Sequence, residues 1–493
     1  MDDTGTTPEL AGTDQGSQRP PARIHGVEPR GLRNPPLSPA FEGRFGRLVR
    51  RSSQTPPTYT LDQLAQLAET MRESSGGGAS WGQPEAQPKD GDNAAIPAGY
   101  TYFGQFVDHD ITFDPASLLD RINDPDALHN FRTPRFDLDS LYGSGPADEP
   151  FQYDQEQRGR LLIHTNEKTG EEDLPRNRQE VALIGDPRND ENTVVSGLQR
   201  VFLRLHNRMW QEVESDGTVQ RDNWFNETQQ RVRWHYQWVV VHDYLKRICG
   251  EDLLRRKLEE EEGEPADIKL RWYKARKNAY MPVEFSAAAF RFGHSQVRAA
   301  YNLNESVTNI SLFVPGDDVP PRDDLRGQKS LPDGWQIEWA NFLPVGAPEL
   351  VQPSRLIDGH LSPPLFDIPR LPAGEHQSLA LRNLLRGQAL QLPSGQDVAR
   401  HLRVEKIFTG TELGTELDPT PLWFYVLKES ELVTGGQRLG PVGAEIVCEV
   451  LLGLLENDPQ SYFRSRPDWR PSVPIADPED GLTLGDLVRF ALS

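Results

Sequence analysis

The sequence predicts a mainly α protein, a single large helical domain with long irregular loops and little β structure. Three observations carry that expectation. Apolar residues recur at helical spacing in several long stretches. No series of alternating apolar and polar residues marks a strand ladder. No internal repeat divides the 493 residues. With 36% hydrophobic and 26% charged residues, most of the chain is expected to fold around a sizeable core.

Residues 1–35 are rich in Pro, Gly, Thr and Asp and read as a mobile tail, leaving 36–493 as the folded domain. The tail has neither a basic n-region nor an apolar h-region, so no secretory signal is expected; a cytoplasmic location is the default and an extracellular one stays open. "TLDQLAQLAETMRE" begins a helix near Thr60, its N-cap. "SSGGGASWGQPEAQPKDGDNAAIPAG" reads as a loop. From Thr193 to Leu245 the chain is expected to be helical almost throughout. "NTVVSGLQRVFLRLHNRMWQEVE" and "NETQQRVRWHYQWVVVHDYLKRI" each keep an apolar stripe at helical period. "PVEFSAAAFRFGHSQVRAAYNL" predicts a further helix with Pro282 near its start. Residues 302–375 predict long ordered connections. Beyond Pro421, "LWFYVLKESELV" and "PVGAEIVCEVLLGLLE" predict two more helices, the second buried.

Composition excludes several classes. A net charge of -21 disfavours general binding to nucleic acid or anionic membrane, both polyanions. No stretch approaches 18 uninterrupted apolar residues, so no membrane span is expected. Cys249 and Cys448 are the only cysteines, which gives neither a disulfide framework nor a CxxC zinc spacing.

The chemistry-bearing stretch is "FGQFVDHDIT", Phe103 to Thr112. On a helix Gln105, Asp108 and His109 share one face, and Asp110 is turned away from it. An amide, a carboxyl and a neutral imidazole can then meet in one cavity. Alone, such a pair also describes a polar patch where helices meet. Downstream, "TPRFDLD" places Thr133, Arg135, Asp137 and Asp139 at alternate positions. In an extended segment alternate side chains converge, and hard oxygen donors suit calcium. Alone, this stretch also describes a solvated acidic loop.

In combination these stretches resemble the animal-type haem peroxidases of the peroxidase–cyclooxygenase superfamily, in a bacterial-type form. In that family G-Q-x-x-D-H-D carries the distal histidine and the first calcium ligand, and a T-x-x-x-D-x-[SD] loop completes the calcium site. The matching residues are "GQFVDHD" and "TPRFDLDSLYG". The resemblance continues in chain order through "GDPRNDENTVVSGLQRVFLRLHNRM", "AFRFGHS", "LALRNLLRGQALQLPSG" and the closing helices, over roughly residues 40–490.

The resemblance implies the following roles. His109 is the distal base, Arg188 the distal arginine and Gln105 an orienting amide. His294 is the haem-iron ligand, with Asn383 behind it and Arg291 and Arg386 towards the propionates. Asp110, Thr133, Arg135 (through its main chain), Asp137 and Asp139 hold Ca2+. The implied cofactors are haem b and calcium. The implied partners are hydrogen peroxide and a small organic or halide electron donor. Asp108 and Glu191 match the carboxylates that ester-link the haem in mammalian relatives, and Asn192 replaces their methionine. "QALQLP" departs from the family's pattern after Arg386.

Two rivals remain. A fatty-acid dioxygenase of the same superfamily carries a tyrosine three residues before the proximal histidine, where this chain has Arg291. A calcium-stabilised helical binding scaffold that has lost haem would not need His109, Arg188, His294 and Asn383 together. His235 and His242, seven apart on one helix, are too distant to share a metal and are expected to be packing residues.

Overall fold

A computed structural model describes residues 45–49, 56–73, 91–112, 132–167, 169–258, 267–275, 278–314, 324–346, 348–369, 371 and 376–493. The expected tail, 1–35, and residues 74–90 of the expected loop lie outside the described residues. Among the described residues helices dominate, and the strands are two to six residues long in two-stranded pairs. No described helix is long and apolar enough to cross a membrane.

Helix α1 (Leu61–Thr70) starts at the expected Thr60. The Thr60 hydroxyl accepts from Gln63 N at 3.2 Å, and Gln63 Oε1 accepts from Thr60 N at 2.8 Å. This reciprocal pair satisfies two donors that a helix start leaves open. Helix α2 (Ala98–Ile111) carries the "GQFVDHD" stretch. Twelve of its 14 residues are buried, so it lies at the centre of the core and not on a solvated face. Phe106 stacks on Phe202, and Phe103 meets Tyr236 and Tyr244 edge-on. Gly104 permits the closest approach, because a Cβ there would overlap the Tyr244 hydroxyl.

The expected helical region from Thr193 is present as α3 (Thr193–Asp216) and α4 (Trp224–Val239), separated by a turn. Asn192 caps α3, accepting from Val194 N and Val195 N. Gly217, at φ 67°, ends it in the left-handed conformation that favours glycine. Helix α4 continues into a π-helical turn, Val240–Leu245. Such widened turns recur near functional sites, and Tyr244 from this one lines a cavity beside α2. Helix α5 (Leu379–Ala389) packs on α1, and α6 (Leu422–Thr434) packs on α7 (Pro441–Asn457). Glutamate fits the apolar α7 because Glu449 accepts from the backbone of Arg271, Trp272 and Tyr273 and from Lys257 Nζ.

Two expectations are corrected. The expected loop ends in a strand, β1 (Asp92–Pro97), paired antiparallel with β2 (Pro353–Arg355). Asp92 accepts from Arg298 at 2.7 Å and Arg355 at 2.9 Å, partners more than 200 positions away. The expected helix over 282–303 is broken. A short turn, Val283–Ser286, is followed by a 3-10 turn, Ala289–His294, and an extended pair at Ala300–Tyr301. Glu284 accepts from Leu48 N and Val49 N, a tertiary contact, and within the turn Arg291 Nε donates to Ser286 O at 2.9 Å. Helix Gly395–Leu402 and helix Leu484–Leu492, the latter closed by a Thr483–Asp486 capping box against α3, were not predicted.

His206, His235 and His242 are held as neutral groups inside this framework. His206 bonds Gly159 O and the Tyr142 hydroxyl. His235 bonds Arg231 O and accepts from Ser472 N. His242 stacks on Trp238. His235 and His242 are packing residues, as expected, His206 is a third, and burial pushes each down to about 4. Between pH 6.5 and 4 the unfolded chain binds protons that the folded chain does not. Their contribution is therefore complete above pH 6.5 and is lost as pH falls towards 4. His206→Gln should flatten the decline of the denaturation midpoint across that window. An unchanged slope would show that His206 is not held neutral.

Candidate active site

A cavity of about 610 Å³ opens beside α2. Gln105, Asp108 and His109 line it from α2, on the shared face that helical spacing predicts, and Glu191 and Asn192 line it from the start of α3. Arg291, Gly293 and His294 line it from the 3-10 turn, with Leu312, Phe313, Leu365 and Ile368 as apolar wall.

The His294 ring meets the Asn383 side-chain amide through Nδ1 at 2.9 Å. Asn383 Nδ2 is the atom placed against Nδ1; turning the amide by 180° brings its oxygen to the ring, and in that orientation Nδ1 keeps its proton and Nε2 offers a lone pair. Burial, then Arg291, Arg386 and Arg382, push His294 down to about 3. A cationic imidazole is thereby excluded at neutral pH, and a neutral one is what metal ligation requires. A Cβ at Gly293 would meet nothing within 4 Å, so the wall beside His294 leaves room for a flat group. Cavity size, neutral donor and flanking arginines fit a haem.

His109 is 5% exposed. Its Nδ1 lies 2.8 Å from Asn189 Oδ1, and Asn189 Nδ2 donates to Gln199 Oε1 at 2.8 Å. This places the proton on Nδ1 and leaves Nε2 as a base, 3.7 Å from Glu191 Oε1. Gln105 Nε2 donates to the same Glu191 oxygen, and Gln105 Oε1 accepts from Asn192 at 3.2 Å. Asn189 and Gln199 are missing from the sequence reading. Their only sequence signal is the adjacency of Asn189 to Arg188.

The two neighbouring acids separate clearly. Glu191 faces the cavity, whereas Asp190 is buried against Arg176 at 2.6 Å and the Ser196 hydroxyl. Asp108 faces the cavity and accepts from the Thr112 hydroxyl at 3.1 Å. Arg291 lines the cavity, and burial lowers its pKa. Arg386 lies on α5 with Asn383, and its charge reaches His294.

Arg188 requires a correction. The resemblance puts its guanidinium on the open face, but it is absent from the cavity lining. Its Nη2 donates to His109 O at 2.9 Å, Thr112 O at 2.6 Å and Asp186 Oδ2 at 2.8 Å. A fully buried carboxylate and the open carbonyls of a helix end outcompete the cavity for this cation. Arg188 and Arg132 hold Asp186 well below the usual carboxylate range.

The acidic loop is corrected in shape. Leu138, at φ 56°, bends "TPRFDLD" instead of extending it, and Asp139 opens a short helical turn. The bend still gathers the acids. Asp110 is fully buried and accepts from Leu138 N at 3.2 Å and the Ser140 hydroxyl at 3.4 Å. Thr133 Oγ1 donates to Asp137 at 2.5 Å. Burial, then Asp139, raise Asp110 to about 7 and push Asp137 well above its usual range. Arg135 N donates to Thr133 O, and the Arg135 side chain lines a separate polar cleft. Among the described residues no three His, Cys, Asp or Glu groups close into metal-holding geometry. The donor set is nonetheless all oxygen.

The sequence pattern of the family described as animal haem peroxidase matches residues 118–422. The chain belongs to the animal haem peroxidase family. Haem binding follows from that membership, and the matched span includes His294 and Asn383 but begins after α2. Thyroid peroxidase of Rattus norvegicus is 25% identical over 306 residues, covering 57% of this chain and 31% of the relative. The Mus musculus protein is 24% identical over 304 residues, with the same coverage. The match therefore spans about a third of these relatives. In fold the chain is similar to peroxidase A from Dictyostelium discoideum, with TM-score 0.61, 15% identity and coverage of 90% of this chain and 95% of that one. It is also similar to the Oryza sativa fatty acid alpha-dioxygenase, with TM-score 0.54, 15% identity and coverage of 88% and 77%. The mainly helical expectation agrees with both.

Proposed function

We propose that this member of the family is a haem peroxidase that reduces hydrogen peroxide and oxidises a small organic or halide donor. The supporting observation is His109, its ring held through Nδ1 by Asn189 Oδ1, in the same cavity as a neutral His294 backed by Asn383. Haem, when bound, supplies the redox-active iron. His294 Nε2 would hold it and Asn383 would fix the ring, while Arg291 in the cavity wall and Arg386 behind His294 would supply positive charge for its carboxylates. His109 Nε2 takes a proton from one peroxide oxygen and returns it to the other, which requires a base that starts neutral. Gln105, in the cavity wall, would orient water or an anion there. Arg188 is a positioning residue that ties the end of α2 to the turn carrying Asn189 and Glu191. Arg291 in place of a tyrosine favours this reading over fatty-acid dioxygenation. Peroxide-dependent oxidation of guaiacol, bromide or iodide by the haem-loaded protein tests it. Oxygen uptake with linoleate and no peroxide turnover would favour the dioxygenase instead. Absence of a haem absorption band would favour a binding scaffold.

Asp108 and Glu191 both face the cavity, which supports ester links to the haem edge; without the methionine no sulfonium link is expected. After peroxide treatment, acid–organic extraction should leave haem on the protein. Complete release would overturn the linkage.

Asp110, Thr133, Asp137, Asp139 and the main chain of Arg135 are proposed to hold Ca2+. Asp110 and Asp137 are buried and their charges repel, a cost that a cation between them would relieve. Asp110 adjoins His109, so the cluster and the base share one helical turn. Strong chelation, or Asp137→Ala, is expected to lower the melting temperature and slow the peroxide reaction together. A displacement of about 1 Å can cost on the order of 100-fold in rate. Calcium should restore the chelated protein but not the variant. Active protein without calcium, indifferent to chelation, would refute the site.

A further inference from the structure

Arg326 lines the same cavity, on the side of Glu191 and Asn192. Its Nε donates to both oxygens of the fully buried Asp324, at 2.7 and 3.0 Å. Its two terminal nitrogens, Nη1 and Nη2, are buried and have no hydrogen-bond partner. Guanidinium carries five donors and stays charged at every physiological pH. Leaving four N–H groups of a cation dry is costly, and an acceptor is needed there.

The residue is not free to swing away. Gly327 N donates to Glu191 O at 2.9 Å, Gln328 N to Asp190 O at 2.6 Å, and Thr193 N to Leu325 O at 2.8 Å. These bonds strap the Arg326 segment to the start of α3. Leu312 and Phe313 line the cavity from the neighbouring segment, where Leu325 N donates to Ser311 O and Val314 N to Asp324, each at 3.0 Å, and Leu365 and Ile368 add to the same apolar lining. A cation beside an apolar wall describes a ligand with a carboxylate at one end and an apolar body.

The geometry points to Arg326 as the specificity-determining anchor of a carboxylate subsite, which selects apolar or aromatic carboxylic acids as ligands of this cavity. The inference rests on the haem peroxidase reading for its setting and names the donor class for it. The same carboxylate chemistry is also offered by a haem propionate, so the test separates the two sources.

The haem-loaded protein, without peroxide, is titrated with 3-phenylpropionate and with its neutral isostere 3-phenylpropanol, and binding is read from the haem absorption band and by calorimetry. Wild type should bind the acid at least about tenfold tighter than the alcohol, the effect of roughly one charge-assisted contact. Arg326→Gln should bring the two affinities to within a factor of about three while haem content is retained, and Arg326→Lys should keep part of the preference. Equal affinities in wild type overturn the subsite without recourse to any variant. A preference that survives in Arg326→Gln also overturns it. Loss of haem in Arg326→Gln and Arg326→Lys, with no acid preference in wild type, assigns the guanidinium to a propionate. Acid-selective binding by a protein that does not turn over peroxide sustains the subsite and removes only the peroxidase reading.

Discussion

Replacing His294 with alanine is expected to abolish stable haem binding. The side chain is the only neutral nitrogen donor that the 3-10 turn Ala289–His294 presents to the cavity. Its neutrality is imposed by burial and by Arg291, Arg386 and Arg382, so the protein meets the electrostatic cost of a proton-free ring before any cofactor arrives. The measurement is haem stoichiometry after reconstitution and desalting. Near-stoichiometric haem at unchanged affinity in His294→Ala would assign the ligand elsewhere. Asn383→Ala should behave as a weaker version, costing about 10–100-fold in haem affinity or activity, because it frees the ring without removing it.

The second large effect is expected at His109. His109→Ala should retain haem and slow the reaction with peroxide by about 10²–10⁴-fold, the usual worth of a positioned acid–base group. Asn189→Ala should give a smaller loss, since it releases the Nδ1 proton that keeps Nε2 basic. Stopped-flow absorbance after mixing with peroxide separates these outcomes from haem loss. A His109→Ala protein that reacts at the parent rate would exclude this base.

Much of the framework was legible because its determinants are local. The Thr60 cap, the apolar stripes of α3 and α4, and the closing helices α6 and α7 depend on neighbours within a few positions. So does the shared face of Gln105, Asp108 and His109, which the helical period alone places together. The family resemblance then named His294 and Asn383, two residues 89 positions apart that the fold brings within 2.9 Å.

Other features were decided only by tertiary contacts. β1 exists because Arg298 and Arg355 reach Asp92 from far along the chain. The segment around His294 departs from the expected helix where Glu284 bonds to Leu48 N and Val49 N, backbone groups far away in the chain. Leu138 in a left-handed conformation gathers the acids near Asp110 through a bend, where an extended segment was expected to do so. Arg188 and Arg326 show the same principle in opposite directions. Both are long, permanently charged side chains whose sequence neighbours are similar acids and amides. Arg188 finds Asp186 and two carbonyls and leaves the cavity, while Arg326 finds Asp324 through Nε alone and keeps two nitrogens without a partner. Periodicity determines which face a residue occupies. Where a flexible cation ends is set by the nearest buried acceptor, and only the folded chain defines where that acceptor lies.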